Sequence, residues 1–223
     1  MTLKGKYMLL DLIKERRSIR VFTGEKVEKE KIEKIIEAGI WAPTGCNNQE
    51  LRFVILGKKD VLTEALKFKP FFRSVSHFVL VLCDMSIPLS AQMYKKKSSA
   101  QMMSDLDTGL AIQNMVLVAK DIGIDSCIVN LSEQHYKKEN KLSIMQKISK
   151  EIKKKFNLHS TNSNSFEYFL RNFLQIPKQY KIRAGVVFGY GKNFPNIEKA
   201  THGKNMIKRN PIENYIIKGK YAE

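Results

Sequence analysis

Helical and strand patterns mix along this chain of 223 residues without strict alternation. That mixture predicts an α+β fold, with α/β left open by pattern alone. Three observations carry the expectation. Isoleucines recur at helical spacing through Glu28–Ile40. Compact β-rich runs occur at Leu51–Leu56 (LRFVIL) and His77–Cys83 (HFVLVLC). A long stretch, Ser104–Ile122, is nearly apolar all round, as a helix buried in a core or in a subunit interface must be.

The elements can then be taken along the chain. Lys6–Arg16 reads as a short amphipathic helix with Met8, Leu9, Leu12 and Ile13 at helical spacing. Glu28–Ile40 sets Ile32, Ile35, Ile36 and Ile40 on one face. Pro43, Thr44, Gly45, Asn47 and Asn48 then form a loop. Lys58–Lys69, between the two strands, is expected to be helical. Gly123 suits the C-cap of the long helix, and Ser126–Asn130 reads as a short strand. Ile182–Tyr190 carries no charge after Arg183, the pattern of a strand central in a sheet. Lys137–Lys155 holds eight lysines against Glu139 and Glu151, a net +6, with Ile144, Ile148 and Ile152 marking one apolar helical stripe. Asn157–Ser165 is a polar loop. No internal repeat or linker divides the chain. Residues 1–223 are therefore expected to form a single domain with a basic, lid-like insertion at about 137–171.

Composition narrows the function classes. Hydrophobic residues at 43% and charged residues at 27% are ordinary for a globular protein and exclude a wholly disordered chain. The net charge of +17 attracts nucleic acid, anionic membranes and phosphorylated ligands without choosing among them. Its lysines are scattered, which makes the excess less informative than a cluster. Cys46, Cys83 and Cys127 are odd in number and far apart, so neither a disulfide framework nor a thiolate metal site is indicated. A reducing, cytoplasmic compartment fits. His77, His135, His159 and His202 show no ligand spacing, and no metal is expected. Met8–Leu10 is too short an apolar stretch for a signal segment. A charge-free window such as Thr108–Ala119 falls short of the ~18 residues that span a bilayer.

Four stretches carry candidate chemistry. Arg16-Arg17-Ser18-Ile19-Arg20 places three guanidiniums and a hydroxyl at a helix exit, a donor set that matches phosphate; in extended backbone Arg16, Ser18 and Arg20 share one side. A solvated basic turn is the structural alternative. Ala42–Gln49 (APTGCNNQ) offers amides that both donate and accept, suited to a heteroaromatic edge; read alone, a simple turn accounts for it. Gln113 and Asn114 within Asp107–Asn114 need partners if buried, and a satisfied structural network accounts for them. Lys208-Arg209-Asn210-Pro211 is a late basic cluster, able to meet the same anion as the first or to lie solvated in a tail. There is no G-x-G-x-x-G, P-loop, G-x-S-x-G or H-E-x-x-H motif.

Taken in sequence, these pieces resemble the FMN-dependent nitroreductase family. R-x-S-x-R-x-F stands as Arg16, Ser18, Arg20 and Phe22, and A-P-(S/T)-x-x-N-x-Q as Ala42, Pro43, Thr44, Asn47 and Gln49. The long-helix pattern stands as Asp107, Gly109, Ala111, Gln113, Asn114, Leu117, Ala119 and Gly123. Ile176, Pro177, Tyr180, Ile182, Gly189 and Tyr190 form a fourth motif, and Arg209, Pro211, Ile212 and Glu213 a fifth. The resemblance covers nearly the whole chain except Lys137–Arg171. Two departures bear on the substrate: Gln49-Glu50-Leu51 stands where many relatives read Q-P-W, and Asn130-Leu131 where some read Glu-Gly.

The resemblance implies a nitroreductase-like α+β sandwich: a central mixed or antiparallel sheet flanked by helices in an intertwined homodimer, with one FMN at each end of the subunit interface. It also implies an enzyme that passes hydride from NAD(P)H through flavin N5 to a small oxidised acceptor, such as a nitroaromatic or quinone, by ping-pong turnover. By the same carry-over the cofactor-binding set is Arg16, Arg17, Ser18, Arg20, Pro43, Thr44, Asn47, Gln49, Ile128, Val129, Asn130, Leu131, Lys208 and Arg209. Arg16, Ser18 and Arg209 would hold the phosphate or its ribityl neighbourhood. Arg20 would lie by the pyrimidine edge, and Asn47 would reach in from the other subunit. A backbone N–H of Asn130 or Leu131 would face N5, and no side chain is required as acid or base. Alternatives within the fold are a reductive dehalogenase, a flavin-modifying enzyme or a flavin carrier without turnover. A nucleic-acid binder reading phosphate through Lys137–Lys155 is a further alternative, but it lacks interleaved aromatics and a binding module. The expected partners are therefore the acceptor and a second copy of the chain, with neither membrane nor nucleic acid.

Overall fold

The computed structural model describes residues 9–57, 62–63, 65–66, 69–87, 97–131, 165–192, 209 and 211–216. They fall in two compact units, Met1–Lys192 and Asn193–Glu223. The first unit holds α1 (Leu9–Glu15), α2 (Lys29–Ile40), β1 (Leu51–Leu56), β2 (His77–Asp84), α3 (Lys97–Asp121), β3 (Asp125–Val129), α4 (Phe166–Phe173) and β4 (Tyr180–Gly189). The described part of the second is Arg209 and a short 3-10 turn, Ile212–Asn214.

The strands form one sheet in the order β1-β2-β4-β3, and every adjacent pair is antiparallel. A single parallel bridge, Ser18 to Ser126, adds the segment after α1 to the β3 edge. β4 is interior, as its charge-free run predicts. β2 is buried along almost its whole length because both of its faces are covered. Phe78, Leu80 and Leu82 face one cluster with Phe72, Leu131, Phe166 and Leu170. Val79 and Val81 face the other, with Ile32 and Ile35 of α2 and Ile112, Met115, Val116 and Ala119 of α3. The period of two along the strand thus assembles a helix–sheet–helix sandwich.

The register slips once. Val81 pairs with Ala184 and Leu82 with Ile182, which leaves Arg183 as a bulged residue. A bulge re-aims its side chain, and here Arg183 turns onto α3. Its Nη1 lies 2.9 Å from Asp105 Oδ1 and its Nη2 donates to Ser104 Oγ.

The helix expected at Ser104–Ile122 runs from Lys97 to Asp121. Gly123 adopts φ +79°, and the amides of Gly123 and Ile124 bond back to Lys120 and Ala119, so the C-cap expectation holds. Asn114 Nδ2 donates to Ala38 O at 3.2 Å, tying α3 to α2 as a satisfied network would. Most of Lys58–Lys69, together with Lys137–Lys155 and residues 157–164, lies outside the described residues. Phe166–Arg171 of the expected insertion begins α4. That helix buries Phe166 and Leu170 completely, and Ser165 caps it by accepting the Tyr168 amide.

Candidate functional site

The site is built where the chain leaves α1. Leu12 anchors that helix in the core, and Arg16 N–H still bonds to Leu12 O. The backbone then extends, because Ile19 and Phe22 must both be buried and their side chains fix which way the intervening residues point. Ile19 N–H donates to Ser126 O at 2.9 Å, and Phe22 bridges to Gly191. Arg16, Ser18 and Arg20 all act on Cys127 of β3. Burial pushes the Cys127 thiol upward, while the charge of Arg20, a hydrogen bond from Ser18, and the charges of Lys69 and Arg16 pull it down.

Arg17 does something else. Its Nη1 donates to Lys14 O and, at 2.8 Å, to Arg16 O, so the guanidinium folds back onto the carbonyl end of α1. Lys69 joins the cation group although no motif marked it; a single lysine before a proline has no spacing that distinguishes it from the other lysines.

β3 is the sheet's edge strand, and its alternation sorts the next residues. Cys127, Val129 and Leu131 are buried. Ile128 is 49% exposed and Asn130 is exposed. Ile128 and Asn130 thus face outward at the end of β3, while the Leu131 carbonyl accepts the Glu167 amide at 3.0 Å.

The second half of the candidate set stands on α3 and β1. Three non-glycine residues in this loop adopt positive φ: Cys46 at 55°, Asn47 at 53° and Gln49 at 52°. Such backbone costs about 1 kcal/mol or more per residue and persists only where contacts enforce it. Here the Gly45 amide donates to Asp107 Oδ2 at 3.1 Å, the Gln49 amide to Thr44 Oγ1 at 3.0 Å, and Arg52 Nη1 to Gln49 O at 2.9 Å. The enforced turn leaves Pro43, Asn47 and Gln49 exposed and Thr44 half-buried. At its exit Glu50 is 3% exposed, beside Asp107 at 2%. Burial first, and then the adjacent Glu50, push Asp107 up to about 6 against the pull of the Gly45 amide. This carboxyl pair escaped sequence reading because only the packing of α3 beneath the loop brings Glu50 and Asp107 together.

Arg209, in the second unit, is exposed, and Lys208 lies outside the described residues. Among the described residues no group of histidine, cysteine or acidic side chains has a metal-binding arrangement, and no helix is long and apolar enough to cross a membrane. The cysteines Cys46, Cys83 and Cys127 are free.

An apolar stripe remains uncovered. Met102, Leu106 and Leu110 repeat every four residues on the outer side of α3, at 66%, 55% and 37% exposure. Leu9, Leu10 and Ile13 of α1, which packs on α3, are exposed as well, and so are Ile40 and Trp41 at the end of α2.

The sequence model of the nitroreductase family matches residues 13–69 and 63–190. A protein of Archaeoglobus fulgidus, provisionally named NADH dehydrogenase/NAD(P)H nitroreductase, is 28% identical over 142 residues, covering 62% of this chain and 74% of that one. A protein of Methanothermobacter thermautotrophicus with the same provisional name is 25% identical over 123 residues, 54% of this chain and 59% of the relative. In structure, a nitroreductase family protein of Clostridium difficile 630 superposes with a TM-score of 0.65 at 20% identity, over 95% of this chain and 97% of that one. A provisionally named nitroreductase of Desulfovibrio desulfuricans in complex with FMN gives a TM-score of 0.62 at 22% identity, over 97% and 99%. These two likenesses speak to the fold.

Proposed function

The chain belongs to the nitroreductase family, and from that premise we propose that it is an FMN-dependent oxidoreductase that takes reducing equivalents from NAD(P)H and passes them to a small oxidised acceptor. The observation that carries this reading is the donor set Arg16, Ser18 and Arg20 at the exit of α1, a segment held against β3 by the Ile19 amide on Ser126 O at 2.9 Å and by the bridge from Ser18 to Ser126. Their donor chemistry fits a phosphate monoester joined to an electron-rich ring system. When bound, FMN supplies the hydride-accepting and hydride-donating centre.

Arg16, Lys69 and the Ser18 hydroxyl hold the phosphate end. Arg20, exposed next to them, places positive charge where negative charge grows on reduction, the electrostatic arrangement that accelerates charge-forming steps. Ile128–Leu131 line one side of the ring. Asn47 and Gln49, exposed on the enforced turn, present amides to the polar edge of the ring from the second copy of a homodimer. The apolar stripe on α3 and α1 supports that dimer, since contiguous exposed apolar surface marks an interface. Donor and acceptor use the same open face in turn, which gives ping-pong kinetics. No side chain acts as an obligatory acid or base.

The test is spectroscopic. Purified protein incubated with FMN and passed over a desalting column retains the visible flavin absorption, and anaerobic NADH or NADPH bleaches it. Protein that stays colourless after FMN addition refutes the reading. Flavin that binds but supports no NAD(P)H oxidation with a quinone or nitroarene reduces the protein to a carrier.

A further inference from the structure

A cavity of about 410 Å³ opens at the end of the sheet where β1 stops and β2 begins, and nothing in the flavin reading uses it. That volume lies within the range of small-molecule sites. Its lining comes from four segments of the first unit: the stretch after Phe22, the residue after β1, residues 62–66, and the 3-10 turn Pro70–Ser74 with its lead into β2. None of the candidate flavin residues lines it.

The floor is apolar. Leu62, Phe72 and Val75 are buried, and Leu66 is half-buried against the same core cluster. Phe72 is fixed from behind by Phe78 and Phe166, which it meets edge-on at 4.9 Å and 5.8 Å. The floor is thus the outer surface of packed core.

The rim is cationic. Lys26 and Arg73 both line the cavity and both are exposed. Neither has a carboxylate within ion-pair distance among the described residues, and no described acidic side chain lines the cavity. Cations gathered at the mouth of a low-dielectric cleft concentrate anions there, and the guanidinium fork matches a carboxylate or a phosphate. The inner wall is polar and held in place. Ser76 Oγ accepts the Val27 amide at 2.7 Å and lies 3.0 Å from His77 Nδ1. The Ser76 hydroxyl has no other acceptor among the described residues. Assigning its proton to Nδ1 satisfies both groups and leaves the neutral ring's own proton on Nε2. Nε2 in turn lies beside Gly57 of the cavity wall, 3.2 Å from where a Cβ would stand.

We propose that this cavity binds a small amphipathic anion: a carboxylate or phosphate head between Lys26 and Arg73, and an aromatic or branched apolar body over Leu62, Leu66, Phe72 and Val75. Burial of the body supplies most of the affinity, and the two cations select the charge. The site stands apart from the flavin reading and does not rest on it.

The experiment is a calorimetric titration of the purified protein with 2-naphthoate and, separately, with 2-naphthyl phosphate, each with and without saturating FMN. Neutral 2-naphthamide is the control. Wild type binds at least one of the anions with a dissociation constant below about 1 mM, and the amide about tenfold more weakly. Tighter binding of either anion supports the site and names its head group. Lys26→Glu and Arg73→Glu, made singly, weaken the anion about tenfold or more and leave the amide within about twofold. The His77 ring proton resonances shift on saturation with the anion, and FMN changes the anion's dissociation constant by no more than about twofold. The site is overturned if neither anion binds, if the amide binds as tightly as the anions, if both variants bind as wild type does, or if FMN displaces the anion. Should one variant fail to fold, the other decides. Anion binding that the variants weaken, in a protein that takes up no FMN, keeps the site and refutes the flavin reading.

Discussion

Phe78 of β2 lies face to face with Phe166 of α4, ring centroids 5.9 Å apart and planes 8° from parallel, while Phe72 meets both edge-on at 4.9 Å and 5.8 Å. This trio closes the sheet face opposite α2 and α3. It also ties the part of the chain after residue 164 to a strand formed far earlier in sequence. Aromatic pairs in these geometries add to the stabilisation of area burial alone.

Phe166→Ala should therefore cost about 3–5 kcal/mol of unfolding free energy, the range for emptying a fully buried phenylalanine site. Urea titration checks it. A loss below about 1 kcal/mol would show that α4 is not part of the cooperative core.

That helix also shows where the sequence stops being readable. Phe166, Phe169, Leu170 and Phe173 stand at helical spacing, but the polar run before them and the lysines further back drew the whole stretch into one expected insertion. Leu51–Leu56 and His77–Asp84 were legible because β-branched and aromatic residues crowd into short runs with turn residues at their ends. In α2, Ile32 and Ile35 are buried as their spacing predicts, whereas Ile40 is 64% exposed because the helix ends there and the sheet no longer lies beneath it. Lys97–Met103 extend α3 with no apolar period of their own, so the start of that helix was invisible. Of the candidate site, Arg16, Ser18 and Arg20 announced themselves by spacing. Lys69 and the Glu50–Asp107 pair did not, since their meaning lies in contacts between distant segments.

Gly39 marks a close approach of α2 to α3. A Cβ built there would meet Met115 Cγ at 2.9 Å, Met115 Sδ at 3.0 Å and Phe53 Cζ at 3.1 Å. Gly39→Ala should be destabilising by about 1–3 kcal/mol from overpacking, even though alanine favours the helix by about 1 kcal/mol. In a Met115→Ala background the same change should become neutral or stabilising. A double-mutant cycle in denaturant measures the difference, and additive effects would contradict the close approach.

His77 opens β2 with its Nδ1 3.0 Å from Ser76 Oγ, a hydroxyl that also accepts the Val27 amide at 2.7 Å. Burial first, and the charge of Lys26 second, hold the imidazole below its ordinary value of 6.5. The unfolded chain therefore takes up a proton before the folded one does. Stability from this group is present above about pH 6.5 and is lost as pH falls through the folded value. His77→Gln should remove that part of the acid-side loss, seen as a wild-type-minus-variant stability difference that changes below about pH 6.5 and levels off to a constant above about pH 7.5. A difference independent of pH would mean that His77 stays neutral or charged in both states alike.

The cation group separates ligand binding from folding most sharply. Arg20 is exposed and Lys69 half-buried, and both act on the Cys127 neighbourhood, whereas Arg17 spends its guanidinium on the carbonyls of Lys14 and Arg16. Lys69→Ala should raise the FMN dissociation constant about tenfold through loss of a charge-assisted hydrogen bond. Arg20→Ala should slow NAD(P)H-dependent flavin bleaching by on the order of 10²-fold while shifting unfolding free energy by no more than about 0.5 kcal/mol. Arg17→Ala should do the opposite, costing about 1 kcal/mol through the end of α1 and leaving the dissociation constant within about twofold. Fluorescence titration, anaerobic stopped flow and urea unfolding on the same three variants decide the matter. If Arg17→Ala weakens FMN as much as Lys69→Ala does, the anion is held at the end of α1 and not at the β3 edge.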